Sequence, residues 1–136
     1  MIGVIAVAVV VLILSQKKPA EWKKIGEGPG LTYYADLSSI RKADKSKTIL
    51  LLADNTTAQL DNGKSYLSSK QQYEIDCKDT KKRLVSFALY AEKMGAGNEV
   101  AASSLTDQEW SPAPPNTVAG AMWELSCNQP WWKFWG

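Results

Sequence analysis

Cys77 and Cys127 are the residues of this chain that most directly imply covalent chemistry, and they are its only cysteines. Two cysteines cannot by themselves complete a cysteine-only zinc or iron–sulfur site within one chain. Histidine is absent. That excludes Ser-His-Asp and Cys-His catalysis and every histidine-containing zinc site. Asp36, Asp54, Asp61, Glu74 and Asp76 are the candidate carboxylates, but no spacing among them marks an acid–base pair. Glu74 and Asp76 fall on one strand face, where solvation is the ordinary role. Neither GxxxxGK[ST] nor GxGxxG occurs, so no nucleotide cradle is expected. The reading is therefore no enzyme, no catalytic or metal residues and no cofactor. In an exported domain, an even number of cysteines points to a disulfide. The alternative is two buried thiols in a reducing compartment. A Cys77–Cys127 bridge would close a loop of about 50 residues and contribute about 4 kcal/mol in the chain-entropy treatment.

The elements that must position these thiols read as an antiparallel β-meander followed by one helix. Residues 22–26 form a first strand and residues 27–30 a turn rich in glycine and proline. Residues 31–36 form a second strand, with Thr32, Tyr33 and Tyr34 suited to a pleated surface. Residues 37–41 read as a turn or a single helical turn. Residues 47–54 carry Ile49, Leu50, Leu51 and Leu52; the flanks favour a buried strand over a short helix. Residues 61–64 are a strong hairpin signal. Residues 65–78 then alternate, with Tyr73, Ile75 and Cys77 opposite Gln72, Glu74, Asp76 and Lys78. Residues 83–93 repeat the pattern with Val85, Phe87, Leu89 and Ala91. A turn at 94–98 and a last strand at 99–105 complete the sheet of about six strands. Three prolines make 111–115 an extended linker. Asn116 offers a helix N-cap, and Val118, Ala121, Met122 and Leu125 form one apolar stripe. Met122 and Trp123 read as core packing. The fold class is α+β.

Two segments flank this domain. Thirteen of the first fourteen residues are apolar, the exception being Gly3. A helix over residues 1–16 spans about 24 Å, short against the ~30 Å bilayer core but normal for the apolar part of a signal peptide. No basic residue precedes it and no small-x-small cleavage pattern follows it. An uncleaved anchor is favoured, with Ile2, Val4, Val7, Val11 and Leu14 contacting lipid or partner helices. Lys17, Lys18, Lys23 and Lys24 all follow the segment. The positive-inside rule would leave the domain in the cytoplasm, whereas a disulfide requires it outside. At the other end, residues 131–136 hold Trp131, Trp132, Phe134 and Trp135. Tryptophan favours the membrane–water interface, so membrane lipid or a partner subunit is expected there; the alternative is a tail folded onto its own sheet. The organisation is thus an anchor or uncleaved signal at 1–16, a linker at 17–21, a domain at 22–128 and an aromatic tail at 129–136. The net charge of +2 comes from 16 basic and 14 acidic residues. Such a balance does not suggest a nucleic-acid partner.

A series of short motifs in order carries a resemblance. It runs from Trp22-Lys23-Lys24-Ile25-Gly26-Glu27 through Tyr33-Tyr34-Ala35-Asp36 and Ser38-Ser39-Ile40-Arg41. Next come Gly63-Lys64-Ser65-Tyr66-Leu67-Ser68-Ser69-Lys70 and Tyr73-Glu74-Ile75-Asp76-Cys77-Lys78. Met94-Gly95-Ala96-Gly97, Trp110-Ser111-Pro112-Ala113-Pro114-Pro115, Ala121-Met122-Trp123 and Cys127 complete it. Over about residues 21–128 the chain resembles the surface-adhesin protein E family of proteobacteria. The resemblance implies a sheet of about six antiparallel strands and a C-terminal helix held to it by a Cys77–Cys127 disulfide. It also implies a surface protein that binds host matrix and serum proteins and can form a homodimer. No cysteine stands directly after the apolar segment, so a lipid anchor is not expected.

Two functions compete. The favoured one is an accessory or assembly subunit of an envelope membrane complex, anchored in the bacterial inner membrane with its domain in the periplasm. The alternative is an adhesin on the outer cell surface, contacting an extracellular protein through Tyr33, Tyr34, Tyr66 and Lys70.

Overall fold

The computed structural model describes residues 19–128. Period-2 alternation gives long strands, and tight turns join them in sequence order. Strands β1 (Trp22–Gly28), β2 (Leu31–Ala43), β3 (Ser46–Asp61), β4 (Lys64–Asp76), β5 (Lys81–Tyr90) and β6 (Glu99–Ser104) lie side by side in that order, every neighbouring pair antiparallel. A two-residue strand, β7 (Ser111–Pro112), pairs with the start of β5. A single-turn 3₁₀ helix spans Lys93–Gly95. The one regular α-helix among the described residues, α1 (Val118–Cys127), closes the chain. At the β3–β4 hairpin, Asn62 and Gly63 have φ of 49° and 77°, the left-handed pair that a two-residue hairpin loop demands. The α+β meander with one C-terminal helix is as the sequence implies, with β7 added inside the segment expected to be linker.

The core lies on one sheet face, under α1. Ala35, Ile49, Leu51 and Ile75 meet Ala113, Ala119 and Met122, all buried. On the opposite face Leu52 is fully buried, and Gly95 of the 3₁₀ turn sits above it. Two buried side chains fasten that turn. Asp54 accepts from the Met94 amide at 2.8 Å and pairs with Lys93 at 3.4 Å. Ser68 Oγ donates to the Glu92 carbonyl at 2.6 Å and accepts from the Gly95 amide at 2.8 Å.

Several boundaries differ from the sequence reading, each for a physical reason. Residues 37–41 are not a turn; they stay within β2, as an irregular stretch where ladder pairing lapses between Asp36 and Arg41. Side chains take over there. Asp36 Oδ1 accepts from the Ser38 amide and hydroxyl at 2.9 and 2.6 Å, and Ser39 Oγ accepts from the Leu50 amide at 2.8 Å. The alternation expected through Val85 is interrupted: the β4–β5 register shifts so that Leu84 stands opposite Tyr73 and Val85 is the extra residue of a bulge. Strand β5 ends at Tyr90, short of residue 93. The N-cap is Thr117, whose hydroxyl accepts from the Gly120 amide at 3.0 Å, whereas Asn116 takes a left-handed φ of 64°. Ala119, Gly120, Met122 and Ser126 are the buried residues of α1, so its inward face is turned away from the expected Ala121.

The anchor expected at residues 1–16 and the aromatic tail at 129–136 lie outside the described residues. Among the described residues, no helix is long and apolar enough to cross a membrane.

Candidate functional site

Four of the five carboxylates singled out in the sequence, Asp36, Asp54, Glu74 and Asp76, are occupied structurally. Glu74 pairs with Arg83 at 2.7 Å and accepts from Ser46 Oγ at 2.6 Å. Asp76 Oδ1 accepts from the Lys78 and Asp79 amides at 3.0 and 3.1 Å, tying the β4–β5 turn. Asp36 and Asp54 are the buried anchors described above. No cluster of three or more potential metal ligands occurs among the described residues.

Cys77 and Cys127 are joined as a disulfide, with Cα atoms 5.5 Å apart and a sequence separation of 50. The bond fixes the C-terminal end of α1 to the turn after β4. Its other end is held by the cap and by close approach of the proline segment. Thr117 Oγ1 donates to the Pro114 carbonyl at 2.7 Å. A Cβ on Gly120 would collide with that carbonyl oxygen and stand 3.0 Å from the Pro114 carbonyl carbon.

Held at both ends, α1 forms one wall of a groove of about 370 Å³ over the sheet. Val118, Ala119 and Met122 supply the wall, and Leu31, Leu51 and Ala53 give an apolar floor. Tyr33, Tyr66 and Tyr73 line it with Ser69 and Gln71. The polar groups are linked: Tyr73 Oη donates to Gln71 Oε1 at 3.0 Å, and Gln71 Nε2 donates to Ser69 Oγ at 3.0 Å. Burial pushes the Tyr73 hydroxyl above its ordinary pKa of 10.0, and the neighbouring Tyr33 phenol adds to the rise. The phenol therefore stays a neutral hydrogen-bond donor. An apolar trough with a few convergent hydroxyl and amide groups is the usual make-up of a recognition site. Tyrosine suits such a site because it offers a large rigid surface with a polar tip. A wider cleft of about 800 Å³ lies between α1 and β1, but no residue expected in contact from the sequence lines it.

The four expected contact residues are divided between two faces. Tyr33 and Tyr66 line the groove. Lys70 lines a shallow trough on the opposite face. Tyr34 lies on that same face, paired across the strands with Leu52 and through it with Lys70. Tyr73 belongs to the groove although its alternation with Ile75 and Cys77 marked it simply as core-facing. The missing signal is non-local, since only the placement of α1 turns that sheet face into a groove.

Fold and site together define a class: a disulfide-pinned sheet-and-helix domain with a tyrosine-lined groove under its helix. The sequence model of the surface-adhesin protein E family matches residues 22–128, and the chain belongs to that family. Solved structures of Haemophilus influenzae protein E share the fold. Crystal form II aligns at 14% identity over 83% of this chain and 94% of that one, with a TM-score of 0.59. A second structure of the same protein gives 15% identity, coverage of 83% and 91%, and a TM-score of 0.60. Protein E from non-typeable H. influenzae gives 17% identity, coverage of 76% and 82%, and a TM-score of 0.54. No curated protein sequence matches the chain.

Proposed function

We propose that this protein is a non-enzymatic surface adhesin that binds an extracellular protein in the groove between α1 and the sheet. Membership of the surface-adhesin protein E family over residues 22–128 supports the adhesin reading and, with it, an outer-surface location. The groove lined by Tyr33, Tyr66 and Tyr73 is the observation that supports this choice of contact surface. The accessory-subunit and inner-membrane readings draw no support from the family or the fold. Residues 1–16 serve in this proposal as the tether, through Ile2, Val4, Val7, Val11 and Leu14. Trp131, Trp132, Phe134 and Trp135 add contact with lipid or partner beyond the matched domain.

The test uses the full chain in mild detergent over immobilised matrix and serum proteins. Binding is expected, and Tyr66→Ser should weaken it by about tenfold or more, as truncating an aromatic anchor does. Equal binding by Tyr66→Ser and wild type would remove the groove from the contact. Failure to bind any such protein, with membrane proteins co-purifying at fixed stoichiometry, would return the chain to the accessory-subunit class.

A further inference from the structure

Among the described residues, the sheet face opposite α1 is roofed only at one end, by the 3₁₀ turn. Beyond that turn a shallow trough of about 400 Å³ opens over β4, β5 and β6. Its lining includes Lys70, Gln72, Ser86, Ala88, Tyr90 and Ser104. Lys70 is the unusual member. It is half-buried, and its ammonium lies 5.1 Å from the centre of the Tyr90 ring. Its stem runs along the 3₁₀ turn, so close that a Cβ on Gly95 would clash with it. The side chain is therefore held in place on two sides. Three other cations form ion pairs: Lys24 with Glu27, Arg83 with Glu74 and Lys93 with Asp54. Lys70 has no carboxylate or hydrogen-bond partner among the described residues; its ammonium rests against the Tyr90 ring. An ammonium already ordered on an aromatic ring loses little further freedom when an anion arrives.

We propose that this trough is a second binding surface, distinct from the tyrosine groove, which takes an acidic segment of a partner protein. A glutamate or aspartate carboxylate pairs with the Lys70 ammonium in a charge-assisted hydrogen bond. Gln72, Ser86 and Ser104 supply polar groups to the flanking backbone. Charge complementarity selects the occupant, because Lys70, which lines the trough, has no carboxylate partner among the described residues.

The probe is a blocked peptide of alternating Glu and Val, with its Gln-for-Glu counterpart as control. It is titrated at low ionic strength into the isotope-labelled full chain in neutral detergent. Amide shifts are expected at Lys70, Ser86 and Tyr90 with the Glu peptide and not with the Gln peptide, weakening as salt is added. Lys70→Gln should reduce affinity about tenfold or more. Gln72→Glu, a change at an exposed position that leaves Lys70 in place, should do the same by supplying an intramolecular anion. Lys64→Gln, at the hairpin, should leave affinity unchanged. Equal affinity in Lys70→Gln, shifts spread over the exposed lysines, or binding of anionic vesicles without the peptide would each overturn the proposal.

Discussion

At the residue scale, Tyr73 shows how one buried hydroxyl ties site to stability. Its pKa is raised from 10.0, first by burial and then by Tyr33. Unfolding releases the phenol to water, where it ionises at its ordinary pKa. Above that pH the unfolded state gives up a proton that the folded state keeps. The contribution of Tyr73 to stability is thus fully present below about pH 10 and lost as pH rises through the folded value. Urea midpoints should therefore fall between neutral pH and pH about 11. Tyr73→Phe should lower the neutral-pH stability by about 1 kcal/mol, for the lost bond to Gln71, and flatten the alkaline fall. An alkaline fall of equal steepness in Tyr73→Phe would assign the effect to other groups.

At the element scale, α1 is only ten residues long, too short to persist alone in water. Its seating therefore decides whether the groove exists. Gly120 is the tightest point of that seating, because the Pro114 backbone occupies the space a side chain would need. Backbone cannot swing aside as a rotamer can. Gly120→Ala should cost about 1–3 kcal/mol through overpacking, outweighing the better helix propensity of alanine. A urea midpoint at or above that of wild type would show that the proline segment yields freely. The elements were readable from sequence in proportion to how local their causes are. β4 alternates cleanly and Asn62-Gly63 names its own turn. Residues 37–41 read as a turn from sequence because Asp36 and Ser39 satisfy the backbone with side chains, a substitution that resembles turn chemistry. The apolar stripe does not mark the inward face of α1 because Gly120 is buried by a distant proline segment and counts for nothing in such a stripe. The disulfide partners were legible; the groove they support was not, since its wall and floor come from opposite ends of the chain.

At the scale of the whole molecule, the sheet has two faces with different dependencies. The tyrosine groove exists only while α1 is seated, and the Cys77–Cys127 bond fixes one end of α1. The Lys70 trough is lined by β3, β4, β5 and β6, with no contribution from α1. Opening the disulfide should therefore uncouple the two surfaces. In the chain-entropy treatment, its loss weakens the fold by about 4 kcal/mol, a large share of the 5–15 kcal/mol typical of a domain. The paired substitution Cys77→Ser with Cys127→Ser is expected to keep the strand signature in circular dichroism at low temperature. It should lose most extracellular-protein binding through the groove and retain acidic-peptide binding at Lys70. Loss of both activities together with the strand signal would mean that α1 is needed to hold the sheet itself. Retention of both would mean that Thr117, Gly120 and the apolar contacts of Met122 seat α1 without covalent help.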